Sequence, residues 1–208
     1  MRGAKVWATS CAAVALAAAI SLAAQQADDA AALTERGTVA VAGKQTPYLI
    51  RRLPVESFPD LPEATAAALR ARGCMIPQTY EAHRPENVVH GSLERAGTED
   101  WAVLCAAQGT VRLLVFFASA PGTAMELAKA AETERLQAHD PSGVLGFNWG
   151  IDAATPEDVH DAQAGLEPRP ARIGHDALAD SVVEHRTIYH FYGHFYEKHA
   201  WTLLEMPQ

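Results

Sequence analysis

The apolar pattern is densest between Trp101 and Phe117. Trp101–Ala106 and Val111–Phe117 are two short apolar runs separated by Gln108 and Gly109. Runs of this length bounded by turn residues predict strands. Val111–Phe117 reads VRLLVFF, apolar on both faces apart from Arg112. That pattern predicts a central strand covered from both sides. Asn87–Arg95 alternates moderately and Gly97–Asp100 reads as a turn, so the block predicts a meander. Ser181–Leu204 is again rich in β-branched and aromatic residues. It predicts a closing hairpin of Val182–Tyr192 and Phe195–Leu204 around Gly193 and His194. Thr38–Ala42 and Val144–Ile151 are further short strands, the second weakened by Gly146 and Gly150.

Helical signals lie between these blocks. Asp60 with Glu63 has the spacing of a capping box, and Pro62 suits a first turn. Ala64–Arg72 has high helix propensity, Gly73 is a stop, and Leu61, Thr65, Ala68 and Leu69 share a face. A helix over 62–72 follows. Thr123 and Glu126 repeat the capping-box spacing, and good helix formers run on to residue 138, so a helix is predicted over 124–138. Thr155 and Pro156, with Glu157 and Asp158, open a third helix that Gly165, Pro168 and Pro170 end. Strand pairs that are hairpins, mixed irregularly with helices, predict an α+β fold. Its antiparallel sheet has about five or six strands, from the central meander and the C-terminal hairpin, with helices 62–72 and 124–138 packed on it.

The N-terminus changes the picture of where this domain works. Arg2 and Lys5 precede an almost uncharged run from Val6 to Ala24, with small residues Ser21 and Ala23 at its exit and Asp28 and Asp29 beyond. This is the layout of a secretory signal peptide, and cleavage is expected near Ala23 or Ala24. A membrane anchor needs about 20 strongly apolar residues, and alanine dominates this run. Cys11 precedes the apolar run, where a lipid-modified cysteine would end it. The organisation expected is a signal peptide over 1–24, an extended N-terminal arm over 25–57 in which Pro47 and Pro54 keep the chain out of helix, and one domain over 58–208. The localisation expected is exported, periplasmic or extracellular.

Removing 24 residues leaves 184, with 15 basic and 25 acidic side chains and a net charge of −10. That is enough chain for one domain with a core. A net acidic chain lacks the basic footprint that nucleic acid or an anionic membrane requires, and no second apolar run is long enough to span a bilayer. Cys74 and Cys105 are the cysteines left after cleavage. In an oxidising compartment they predict one disulfide, with two buried free thiols as the alternative.

Candidate chemistry is sparse. Five of the nine histidines crowd the last third: His175, His185, His190, His194 and His199. Histidine is the commonest metal ligand, yet His194 and His199 are five apart on a predicted strand, whereas HExxH needs four on a helix. Neither a metal nor a cofactor is expected. His175 and Asp176, near Asp180, could form a base with its orienting carboxylate. The alternative is a turn or cap made by Asp176. The polar cluster to locate is therefore His175, Asp176, His190, His194 and His199. No G-x-S-x-G elbow and no glycine-rich phosphate loop occurs, so no catalytic residue is assigned. Tyr189, Phe191, Tyr192, Phe195, Tyr196 and Trp201 form an aromatic stripe that suits either a ligand wall or cross-strand pairs.

Two resemblances add to this. Gly91–Leu104, GSLERAGTEDWAVL with Glu94, Glu99 and Asp100 at its turn, resembles the hairpin of calcium-binding FG-GAP-type repeats. The calcium-ligand series of those repeats is missing, so the resemblance implies the hairpin without the ion. Phe58–Pro62, Arg72–Gln78, Asn87–Gly91 and Asp100–Cys105, with His175-Asp176 and Ile188-Tyr189, are similar to a group of exported bacterial proteins without assigned function. That resemblance implies export, one domain and a Cys74/Cys105 pair acting as a unit. The function expected is binding of a small molecule or a protein partner without catalysis. The alternatives are a hydrolase or metal-dependent enzyme using the C-terminal histidines, and a structural envelope protein.

Overall fold

A computed structural model describes residues 33–139, 141–182 and 190–207. The expected signal peptide and its cleavage site, His185 and Tyr189 lie outside the described residues, and the architecture below is that of the unit Glu35–Gln208. Its strands are β1 (Thr34–Val41), β2 (Lys44–Pro54), β3 (Met75–Gln78), β4 (Val88–Gly91), β5 (Asp100–Ala107), β6 (Thr110–Phe116), β7 (Met125–Ala131), β8 (Leu136–Ala138), β9 (Leu145–Phe147), β10 (Trp149–Ala154), β11 (Ala177–Val182), β12 (His190–Glu197) and β13 (Ala200–Leu203). The helices are α1 (Glu63–Ala71) and α2 (Pro156–Ala162).

This corrects the expected α+β fold. The described residues are mostly β, in a nine-stranded mixed sheet and a four-stranded sheet. The large sheet runs β7-β6-β5-β3-β2-β9-β8, with β1 on β2 and β4 on β5. It is mixed because β2 and β9 are parallel. Its two outermost strands, β7 and β8, are joined by one 3-10 turn, Glu132–Arg135. At about 2 Å per residue such a link reaches only about 10 Å, so the sheet curls until its edges approach at that end. The small sheet, β10-β11-β12-β13, is antiparallel throughout.

The meander is where the strand pattern works as expected. In β5, Ala102, Leu104 and Ala106 face one cluster while Val103 and Cys105 face another. In β6, Val111, Leu113 and Val115 take the first side, Leu114 and Phe116 the second. The first side is the core between the sheets, shared with Ile50, Phe147, Trp149, Leu178 and Tyr196. The second is covered by α1 through Ala66 and Leu69, with Leu61 just before the helix. A third cluster joins Val159 of α2 to Ala177, Ala179 and Phe195 on the outer face of the small sheet. The order of layers is therefore α1, large sheet, small sheet, α2.

The helix expected over 124–138 is absent. Met125–Ala131 is strand β7, Glu132–Arg135 the 3-10 turn and Leu136–Ala138 strand β8. Propensity favoured a helix, but β6 offers a row of backbone groups on the side away from β5, and β7 pairs with it from Thr110↔Ala131 to Val115↔Met125. Pairing satisfies those buried groups, a larger effect than a few tenths of a kcal/mol of propensity per residue. The closing hairpin is also displaced. Gly193 and His194 lie inside β12, opposite Ala179 and Leu178 of β11. The turn sits at Lys198 and His199, both at positive φ, between Glu197 and Ala200. Two successive left-handed residues form a type I′ hairpin turn, whose twist matches the strands. Gln108-Gly109 between β5 and β6, and Ala42-Gly43 between β1 and β2, do the same. The predicted strand over 144–151 splits at Asn148 into β9 and β10, which belong to different sheets. The segment read as an arm contains β1 and β2, and β2 pairs with both β3 and β9.

Helix α1 ends in a way that positions a covalent link. Gly73 has φ +66°, its N–H donates to Arg70 O, and Cys74 N–H donates to Leu69 O. These two bonds define a Schellman cap, which needs a residue without a Cβ penalty in the left-handed region. The cap points Cys74 at β5, where it is bonded to Cys105 with Cα atoms 5.0 Å apart. Both cysteines are buried. Among the described residues no helix is long and apolar enough to cross a membrane.

Candidate functional site

The structure keeps the described members of the expected polar cluster apart. His175 lies before β11, its Nδ1 3.2 Å from Asp176 O and its ring stacked on Phe195. Asp176 turns the other way and accepts from Ser92 N–H across the sheets at 2.8 Å. His199 is exposed in the β12–β13 turn. His190 begins β12 opposite Val182, and its side chain lies outside the described residues. His194 is joined to a carboxylate side chain. Its Nε2 is 3.1 Å from Asp180 Oδ2, and both side chains are largely buried.

Alternation explains that pair. Leu178 and Asp180 of β11 and His194 of β12 point from the same face, towards the large sheet. Trp149 of β10 shares this face, and its Nε1 donates to Asp180 Oδ1. One carboxylate thus holds an indole and an imidazole, and Arg135 stacks over the Trp149 ring at 4.0 Å. An imidazole oriented by a carboxylate is one half of a proton-transfer device. The other half is missing among the described residues: no hydroxyl or thiol contacts His194. No three His, Cys, Asp or Glu side chains converge there either.

Several polar residues of the sequence patterns are committed to the backbone. Gln78 is buried, and its amide exchanges bonds with Glu86 N–H and O. Asn87 is buried at φ +67°. Its Nδ2 donates to Pro77 O and Trp149 O, and its Oδ1 accepts from Ile151 N–H. One side chain therefore ties β10 of the small sheet to the large sheet. Asp100, fully buried, accepts from Glu94 N–H, Thr98 Oγ1 and Ala118 N–H, and so closes the β4–β5 loop on itself. β4 and β5 form the hairpin expected from the FG-GAP resemblance, with Asp100 serving the loop backbone. Gly91 has no room for a Cβ, which would stand 3.0 Å from Ala153 Cβ and 3.1 Å from Asp176 Oδ2.

The aromatic stripe is partly core. Tyr196 packs on Phe117 with ring centroids 4.6 Å apart and on Trp201 at 5.2 Å. Trp201 Nε1 reaches Met125 Sδ at 3.1 Å.

A groove of about 890 Å³ opens on the other face of the small sheet. Its floor is made by residues with little side chain: Gly150 and Ala154 of β10, and Ala179 and Ser181 of β11. The register sets Gly150 opposite Ser181 and Asp152 opposite Ala179, so these positions share one face. One wall is the loop that leads from β3 to β4, carrying Glu81, Arg84 and Glu86, and continues into Val88 and Val89. Asp158, in the first turn of α2, borders the other side. Four carboxylates and one guanidinium thus surround a floor of small residues. Asp158 accepts from Thr155 Oγ1 and N–H, and these bonds hold its carboxyl below the usual carboxylate range. Asp152 accepts from Ala153 N–H, and Glu86 from Thr79 Oγ1. Sequence reasoning missed this site. The available signal was the alternation of Gly150, Asp152 and Ala154 with that of Ala177, Ala179 and Ser181, which becomes a floor only once β10 is paired with β11.

A second charged centre is structural. Arg52 of β2 makes two hydrogen bonds to buried Glu132 and reaches Glu35 of β1 at 2.6 Å. Tyr48 O–H donates to Glu35; this bond and the Arg52 guanidinium hold the Glu35 carboxyl below its ordinary value, while the Glu35 carboxylate raises the Tyr48 phenol.

No protein family, curated protein or solved structure matches this chain.

Proposed function

We propose that this chain is an exported domain that works by binding, and that the groove between the β3–β4 loop and the β10–β11 face receives its ligand. The observation that carries this reading is the groove itself. Its volume lies in the range of about 300–1,000 Å³ typical of ligand clefts, and its floor is kept clear by small residues on two paired strands. Export is supported by the N-terminal basic and apolar pattern, and a buried disulfide is compatible with an oxidising compartment. Among the described residues those expected to carry hydrolysis are dispersed, and the imidazole–carboxylate pair His194–Asp180 lies on the opposite face of the small sheet from the groove.

The test is an unbiased peptide and metabolite display screen on the purified protein, repeated on Ser181→Trp, which fills the groove. Binders that are lost on Ser181→Trp, while its melting temperature stays within a few degrees, support the reading. Binders that ignore the substitution overturn the assignment of the groove. Hydrolytic turnover that disappears in both His194→Ala and Asp180→Asn would replace binding by catalysis.

A further inference from the structure

We infer that the groove takes a short, extended, basic segment of another protein. This deepens the binding reading above and rests on it. Four carboxylates, on Glu81, Glu86, Asp152 and Asp158, face one guanidinium, on Arg84, so the rim carries an excess of three negative charges. They come from three stretches of chain and flank the floor on both sides, so a bound chain meets a carboxylate whichever way its side chains point. Gly150 and Ser181 keep the floor low, and Val88 and Val89, both half-buried, give the wall apolar surface. Lysine and arginine fit both features, because their methylene stems lie along apolar surface while the charged head stays in water near an anion. An acidic or phosphorylated ligand would meet only Arg84. The whole chain carries a net charge of −8, so the long-range field also draws cations towards it.

An extended segment suits the space better than a helix. A helix with side chains is about 10–12 Å across, whereas an extended chain advances about 3.3 Å per residue and alternates its side chains, so it can set successive side chains against the Val88–Val89 wall and the carboxylates in turn. Alternate side chains would lie against Val88 and Val89 or reach the carboxylates.

The experiment uses three blocked, fluorescent octapeptides that alternate alanine with lysine, serine or glutamate, titrated into the purified protein and followed by anisotropy. The lysine peptide should bind most tightly and weaken as salt rises from 20 to 300 mM, as exposed charge pairs do. Asp152→Lys should weaken it about three- to tenfold, and Arg84→Glu should tighten it by a similar factor, the size of a reversed charge at a half-exposed site. Both substitutions are at the surface, so unchanged melting temperatures keep the comparison valid. If serine and lysine peptides bind equally and salt has no effect, the charge inference falls while the groove remains a binding site. If the glutamate peptide binds best, the inference is reversed. If no peptide binds and the display screen yields only small molecules on the groove, the peptide class is wrong.

Discussion

Removing the Cys74–Cys105 bond should destabilise the protein by several kcal/mol. The two residues are 31 apart in sequence. The chain-entropy relation for a loop of about that length gives roughly 3–4 kcal/mol. The bond also has a local task. Helix α1 has nine residues, too few to be stable alone in water, and holds to the sheet through Ala66 and Leu69, helped by Leu61 just before it. The disulfide pins its C-terminal end to the central strand. For a domain of this size 1 kcal/mol moves the melting temperature by about 2–4 °C, so the Cys74→Ala/Cys105→Ala double variant should melt about 7–15 °C below the oxidised protein. Each single variant should lie close to the double, because the bond is lost in all three. The assay is calorimetry of oxidised, reduced and alanine-substituted protein, with hydrogen exchange read on α1. Residues 63–71 should be the first to lose protection on reduction. Reduced and oxidised proteins melting within about 2 °C, or two free thiols in the oxidised unfolded chain, would refute the reasoning.

Three further outcomes follow from particular contacts. Asn87→Ala removes three buried hydrogen bonds and leaves the Trp149 carbonyl and Ile151 N–H without their partner. At about 1 kcal/mol for each bond, with a further penalty for groups left buried, a loss of about 3–4 kcal/mol is expected in urea unfolding. Asn87→Asp, which lacks the Nδ2 donors, should recover less than half of it. Ala131→Thr tests the strand at β7. Opposite Thr110 on an edge strand it should stabilise by a few tenths of a kcal/mol to about 1, whereas in a helix the same change would destabilise by about half a kcal/mol. Glu35, whose carboxyl is held below its ordinary value by Tyr48 and Arg52, adds stability that is fully present above the unfolded carboxylate value near 4.5. That contribution fades as pH falls through the lowered folded value. Urea midpoints of wild type and Glu35→Gln should therefore differ at pH 7 and converge towards pH 3; a gap that widens in acid would contradict the assigned contacts.

What could be read from the chain and what could not divides along a physical line. Val111–Phe117 announced a strand buried on both faces because burial acts directly on side-chain type. Cys74 and Cys105 announced a bond because thiol chemistry needs no knowledge of register, and Gly73 announced the helix end that aims Cys74 at it. Residues 124–138 misled because alanine, glutamate and lysine report local preference, while the decisive term was the row of backbone groups that β6 presents to β7. The turn at Lys198-His199 was invisible for a related reason. Glycine advertises freedom to turn, but Gly193 is used inside a strand, and the turn falls on two residues that adopt positive φ because the strands on either side require it.

The histidines show the same limit in chemical form. His175 and Asp176 are neighbours in sequence and do not form a side-chain pair, whereas Asp180 and His194 are 14 residues apart and do. A two-residue period decides which side chains share a face, but only the pairing of β11 with β12 decides which of them meet. The groove lies furthest from sequence reading. Its walls come from the β3–β4 loop and the start of α2, its floor from β10 and β11, and no residue in it is chemically unusual. Concavity here arises from side chains that are small, at alternate positions of two strands, and a small side chain carries no marker of its own. The sign of the ligand is more accessible than its place. The acidic excess of the chain argues for cationic partners over nucleic acid or an anionic membrane, and the groove gathers part of that excess beside the apolar Val88 and Val89. A basic peptide satisfies both conditions at once, which neither a free metal ion, with no use for the Val88–Val89 wall, nor an acidic ligand, opposed by four carboxylates, can do.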